Sequence, residues 1–164
     1  MTPAELVEAL GLAPHPEGGF FRETYRSAES FTPAGIGKPR AISTAILYLL
    51  REGEKSRLHR IKSDELWHHH LGAGLRLTQL LPGGMIEETL IGPDLAAGHQ
   101  LQHSVPAGAW FGAEPLAEFA LVGCTVAPGF DFADFELGKR NALVEAFPLA
   151  REAIVRLTPE YGCF

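Results

Sequence analysis

A chain of 164 residues with 46% hydrophobic and 21% charged side chains can bury a core and is too apolar to stay disordered. A formal net charge of -6 excludes a nucleic-acid binder that tracks phosphates through a basic stripe. With only Cys124 and Cys163 present, neither a disulfide framework nor a cysteine-based zinc site can be built.

Thr2-Pro3-Ala4-Glu5 predicts a helix start, with Thr2 as cap, Pro3 at the first helical position and Glu5 closing a capping box. Leu6, Val7 and Leu10 supply its apolar stripe, and Gly11 ends it. His15 to Gly19 reads as a turn into a strand over Phe20 to Arg26, with Phe21, Glu23 and Tyr25 on one face. On that strand Arg22, Glu23 and Arg26 form a charge ladder, or one of them reaches a ligand or partner. A Pro- and Gly-rich loop follows, then an apolar run from Ala41 to Leu50 whose length suits a buried strand.

The stretch from Gly53 to Gly72 holds four of the seven histidines, together with Glu65 and Trp67. Two alternating segments, Ser56 to Ile61 and Glu65 to Leu71, flank a polar Lys62-Ser63-Asp64 turn. Alternation puts His59 with Ile61 on one face, and Glu65 with Trp67 and His69 on another. Pairing of the two strands across the turn is expected to bring imidazole, carboxylate and indole to one concave surface. Within His68-His69-His70 the outer two point away from His69, so the three cannot share one ion.

Further strands are expected over Leu75 to Leu81, Met85 to Ile91, His99 to Val105, Ala109 to Phe111 and Glu118 to Val126. Cys124, in the last of these, reads as a buried structural thiol. After Pro128-Gly129 the pattern changes, and a helical segment is expected over about 134–158. The fold class is therefore all-β, an antiparallel sandwich or barrel with short helices at both ends, forming one domain over 1–164 with its barrel core at about 18–127. No apolar stretch reaches membrane-spanning length and no signal-peptide pattern is visible, so no membrane partner and a cytoplasmic location are expected.

Gly53, His59, Glu65 and Gly72 resemble the first cupin motif, G-x5-H-x-H-x3-E-x6-G, with Ile61 where the second histidine stands. Pro106-Ala107-Gly108 is similar to the P-x-G core of the second motif, with Phe111 at its histidine position and Gln100 at its leading glycine. The wider chain resembles one cupin family of unknown function, related in fold to dTDP-sugar epimerases. The resemblance rests on His15 to Gly19, Arg22 to Ser27, Lys62 to His68, Val105 to Trp110 and Gly123 to Phe130. It implies a cupin-type double-stranded β-helix, or jelly-roll barrel, and a homodimer.

Three functions are weighed on these residues. A metal-dependent cupin enzyme needs three histidines and a glutamate; here His59 and Glu65 match, and only His69 is at hand as a third ligand for a divalent transition metal. A metal-independent epimerase or isomerase uses His59 as general base with Glu65 fixing its tautomer. The preferred reading is a barrel that binds a small molecule, sugar-like or otherwise, without a complete metal site or any cofactor. In that reading Tyr48, Ile61, Trp67, Trp110 and Phe111 line the interior, and His59, Glu65, His69 and Gln102 orient the ligand.

Overall fold

The structure, a computed structural model, describes residues 1–159. Cys163 lies outside the described residues. Helix α1 (Pro3–Leu10) is closed by the expected capping box: the Thr2 N–H donates to Glu5 Oε2 at 2.7 Å and the Glu5 N–H donates to Thr2 Oγ1 at 3.2 Å. Gly11, at φ 60°, caps its end.

Thirteen strands are described: β1 (Ala13–Pro14), β2 (Phe20–Arg26), β3 (Ser30–Phe31), β4 (Arg40–Ala41), β5 (Thr44–Arg51), β6 (Ser56–Arg60), β7 (Asp64–Gly72), β8 (Leu75–Leu80), β9 (Ile86–Ile91), β10 (Gln102–Val105), β11 (Trp110–Pro115), β12 (Phe119–Ala127) and β13 (Glu136–Leu137). Helices α2 (Arg140–Ala146) and α3 (Arg151–Arg156) follow. One sheet runs β1-β2-β5-β12-β7-β10, the other β13-β6-β11-β8-β9, and β3 pairs with β4. All named strand pairs are antiparallel, and the two sheets form the expected jelly-roll.

Alternation along these strands sorts the apolar side chains into three clusters. Tyr48, Leu50, Trp67, Leu77, Ile91 and Phe111 belong to the core between the sheets. Leu49 and Leu121 point the other way and are covered by Leu6 and Leu12 from the α1 region. Leu58 and Leu80, on the second sheet's outer face, are covered by Leu143, Ile154 and Leu157 of the C-terminal helices. The apolar run in β5 is therefore buried on both faces, which is why it reads as continuous.

One expected pairing is corrected. β6 pairs with β11 and β13, whereas β7 pairs with β10 and β12, so the two strands lie in different sheets. The Lys62-Ser63 link carries the chain from one sheet to the other. His59 and Glu65 consequently come from facing walls of the barrel rather than from neighbouring strands.

Candidate functional site

The site begins with the turn His15 to Gly19 between β1 and β2. Gly18 (φ 111°) and Gly19 (φ 72°) occupy backbone regions that side chains disfavour. A Cβ at Gly18 would collide with the Lys55 carbonyl, and one at Gly19 would lie 2.6 Å from the Leu49 carbonyl. The turn is fastened by the Tyr48 hydroxyl, which donates to the Gly18 carbonyl at 2.6 Å, and by the Arg57 N–H, which donates to the Glu17 carbonyl at 2.9 Å. This tight packing aims Glu17, a buried carboxyl, at the barrel interior.

Glu17 Oε1 accepts from the Ser56 hydroxyl at 2.9 Å, and its Oε2 lies 3.0 Å from His59 Nε2. His59 Nδ1 lies 2.7 Å from the Arg57 carbonyl oxygen. A carbonyl can only accept, so Nδ1 carries a proton. The remaining nitrogen then faces a carboxyl oxygen, and that contact is a hydrogen bond only if one further proton sits on Nε2 or on Oε2. Glu17 and His59 are thus placed to share a proton. His15 Nδ1 accepts from the Glu17 N–H at 3.1 Å. Burial lowers its basicity; the Glu17 charge opposes this and His59 reinforces it.

Glu65 enters from β7. Burial, followed by the charge of Glu17, raises its pKa to about 8, so the carboxyl is protonated at neutral pH. Beside it stand the Cys124 thiol, pushed well up by the same burial, and the Trp67 indole. The indole Nε1 has no hydrogen-bond partner, so Trp67 is a neighbour of the carboxyl rather than a donor to it.

Past β12 the chain returns across the barrel mouth as a strap carrying Phe130, Phe132 and Phe135. Arg40 anchors it: Nε and Nη2 donate to Asp134 Oδ2 and Oδ1 at 2.8 and 2.7 Å, and both side chains are buried. The Asp134 carboxyl is held below its ordinary range by this guanidinium. Arg26 donates from Nε and Nη2 to Glu23, each at 2.8 Å, and from Nη2 to the Phe130 carbonyl at 3.1 Å. Residues three apart on a regular strand face opposite ways. A bulge between Glu23 and Tyr25 reverses the alternation, so Glu23 and Arg26 both line the cavity while Tyr25, expected on the Glu23 face, is 55% exposed. The charge ladder is thus an ion pair within one strand.

The cavity measures about 310 Å³. His59, Ile61 and Glu65 line it, as the sequence reading places them. His15, Glu17, Cys124 and the strap phenylalanines were missed as lining. The visible signal for the first two was a histidine and an acid inside a Pro- and Gly-rich turn.

Six expected lining residues are corrected. Tyr48, Trp67 and Phe111 do point between the sheets but are packed solid in the core, Phe111 resting against His59 with ring centroids 4.2 Å apart. Trp110 faces out, packed against the cluster under the C-terminal helices with Arg60 over its ring. Gln102 is exposed and meets His68 Nδ1 at 2.9 Å, while His68 Nε2 meets Thr125 Oγ1 at 3.0 Å. His69 does not line the cavity; its Nε2 binds the Gly72 carbonyl at 3.0 Å, next to a register shift that leaves His70 unpaired between β7 and β12.

These placements decide whether a cupin-type metal fits. Ile61 and Phe111 hold two ligand positions and offer no donor atom. Both ring nitrogens of His59 are already engaged. Among the described residues no three His, Cys, Asp or Glu side chains are grouped to hold an ion. The donor set does not fit a divalent metal.

A family model described as Cupin superfamily (DUF985) matches residues 4–138. Among solved structures, a hypothetical protein from Leishmania major is 34% identical with TM-score 0.91, the match covering 98% of this chain and 100% of that one. A protein from Shewanella oneidensis is 38% identical with TM-score 0.90, over 98% of this chain and 99% of that one. Oxalate decarboxylase from Bacillus subtilis shares the fold at 17% identity and TM-score 0.56, over 88% of this chain and 36% of the enzyme. No curated protein matches the chain. No helix among the described residues is long and apolar enough to cross a membrane.

Proposed function

We propose that this chain, which belongs to the DUF985 family of the cupin superfamily, holds a small organic molecule inside its barrel through its own side chains, without a metal ion. The observation that carries this reading is the cavity of about 310 Å³ with Glu17, His59 and Glu65 gathered in its wall. Buried ionisable groups are costly unless they are used or fully partnered, and Glu65 is kept protonated at that cost. Apolar side chains from Ile46, Ile61 and Val126 supply the contact surface, and the polar groups fix orientation. Fragment binding followed by NMR tests it. Ligands must perturb the methyl groups of Ile46, Ile61 and Val126 in chelator-treated protein.

A second reading follows from the contact between Glu17 and His59. A base of this kind on one wall and a protonated Glu65 on the other suit proton transfer next to a carbonyl, as in epimerisation or isomerisation. The Glu17–His59 pair would take the proton from the carbon, and Glu65 would return one. Incorporation of solvent deuterium into a sugar-like carbonyl substrate tests this reading. Loss of that exchange in both Glu17→Gln and Glu65→Gln, with binding retained, supports it; exchange that survives both substitutions overturns it.

A further inference from the structure

The cavity's charge and its aromatic wall point to a ligand class. Four carboxyl groups line it, from Glu17, Glu23, Glu65 and Asp131, against one guanidinium, Arg26. That guanidinium is committed to Glu23 and to the Phe130 carbonyl. The imidazoles of His15 and His59 are engaged with Glu17 and the Arg57 carbonyl. Glu65 is itself kept protonated up to about 8 by burial and Glu17, and Glu23 is offset by Arg26, so an anionic ligand would meet the Glu17 and Asp131 carboxyl groups with no uncommitted guanidinium among the described lining residues to receive it.

The strap adds a second, independent feature. Phe130 and Phe132 meet at 4.8 Å between centroids with planes at 84°, Phe132 and Phe135 at 6.0 Å and 73°, and Phe130 and Phe135 at 6.3 Å and 69°. Three rings set nearly at right angles form a corner of a box rather than a stack, and all three line the cavity. The faces of such rings are electron-rich and attract an organic cation, most strongly where water is displaced.

Resting on the reading that the interior holds a small molecule, we propose that the ligand is a small organic cation, an alkylammonium or quaternary ammonium compound, seated against Phe130, Phe132 and Phe135 with the Glu17 and Asp131 carboxyl groups balancing its charge. Arg40 and Asp134 set the position of this aromatic corner by tying the strap to the barrel.

Titration calorimetry with three probes of similar shape tests the proposal: choline, neutral 3,3-dimethylbutan-1-ol and anionic 3,3-dimethylbutanoate. Choline is expected to bind roughly tenfold tighter than the alcohol, and the carboxylate weakest of all. An alcohol or carboxylate that binds as tightly as choline overturns the cation class and leaves the cavity reading standing. If none of the three perturbs the Ile46 and Ile61 methyl resonances, both fall. Phe132 is 50% exposed, so Phe132→Leu leaves the fold intact, as an unchanged unfolding midpoint will verify. This substitution should weaken choline about fivefold and the alcohol less than twofold. Unchanged choline affinity in that variant removes the aromatic corner from the argument.

Discussion

Glu17 Oε2 and His59 Nε2 stand 3.0 Å apart, and the other ring nitrogen of His59 is spent on the Arg57 carbonyl. Each partner is buried, so removing one strands the other. Glu17→Ala and His59→Ala are each expected to cost about 2 to 4 kcal/mol in urea unfolding. The double variant should cost at least about 1 kcal/mol less than their sum. Simple additivity would show that the pair is not coupled.

The same hydrogen bond fixes the imidazole. Nitrogen-15 NMR of His59 should find a proton on Nδ1, held by the Arg57 carbonyl. An Nδ1 that is bare while Nε2 carries the only proton contradicts this tautomer.

Glu65 has its pKa raised from the ordinary 4.5 to about 8. Between those values the folded chain binds a proton that the unfolded chain releases. Stability therefore falls as pH rises through that window, at up to about 1.4 kcal/mol per unit, and levels off above it. Glu65→Gln, which copies the shape of the protonated acid, should raise stability at pH 8 by roughly 2 to 4 kcal/mol and flatten this slope. A variant less stable than wild type at pH 8 contradicts the assignment.

Asp134 shows the opposite sign. Its carboxyl is held low by Arg40, so its contribution is present above the ordinary carboxylate pKa and is lost as pH falls through the lowered value. Asp134→Asn should release the strap and raise the rate of limited proteolysis within 128–137 about tenfold, since cleavage there follows local opening. Cleavage at the wild-type rate would mean that the strap is held by its phenylalanines alone.

Cys124 lies within the cavity wall but is buried, and its thiol is pushed well above the ordinary cysteine value by that burial and by Glu65 and Glu17. In a Cys163→Ser background it should react with Ellman's reagent at least about a hundredfold more slowly than in the unfolded chain. Fast labelling of the native protein would show that the cavity opens to solvent.

Much of the fold was legible because short-range chemistry decides it. The Thr2–Glu5 box, the glycine-punctuated strands and the doubly buried run in β5 are local patterns that tertiary packing respects. Of the site, His59, Ile61 and Glu65 were placed by motif spacing. Glu17 was not, since its role depends on a turn docking beside Lys55 and Leu49, far along the chain. Alternation separates two faces without saying which is inside, so Trp110 and Gln102 were assigned inward when Phe111 and His103 hold those positions; His103 reaches buried Gln79 at 2.6 Å. A bulge in β2 then misplaced Tyr25, because one extra residue inverts every face beyond it, whereas His69 keeps the register of Glu65 and Trp67 and lies farther along β7, away from the cavity. The strap was read as an approach to a helix, and its meaning rests on the Arg40–Asp134 pair, 94 residues apart.

The most direct test is a methyl NMR titration of the chelator-treated protein with a fragment set that includes alkylammonium compounds. The account predicts saturable shifts at Ile46, Ile61 and Val126, unchanged when divalent metal is added back. Shifts that arise only after a metal is supplied, or only at methyl groups outside the cavity, would contradict it.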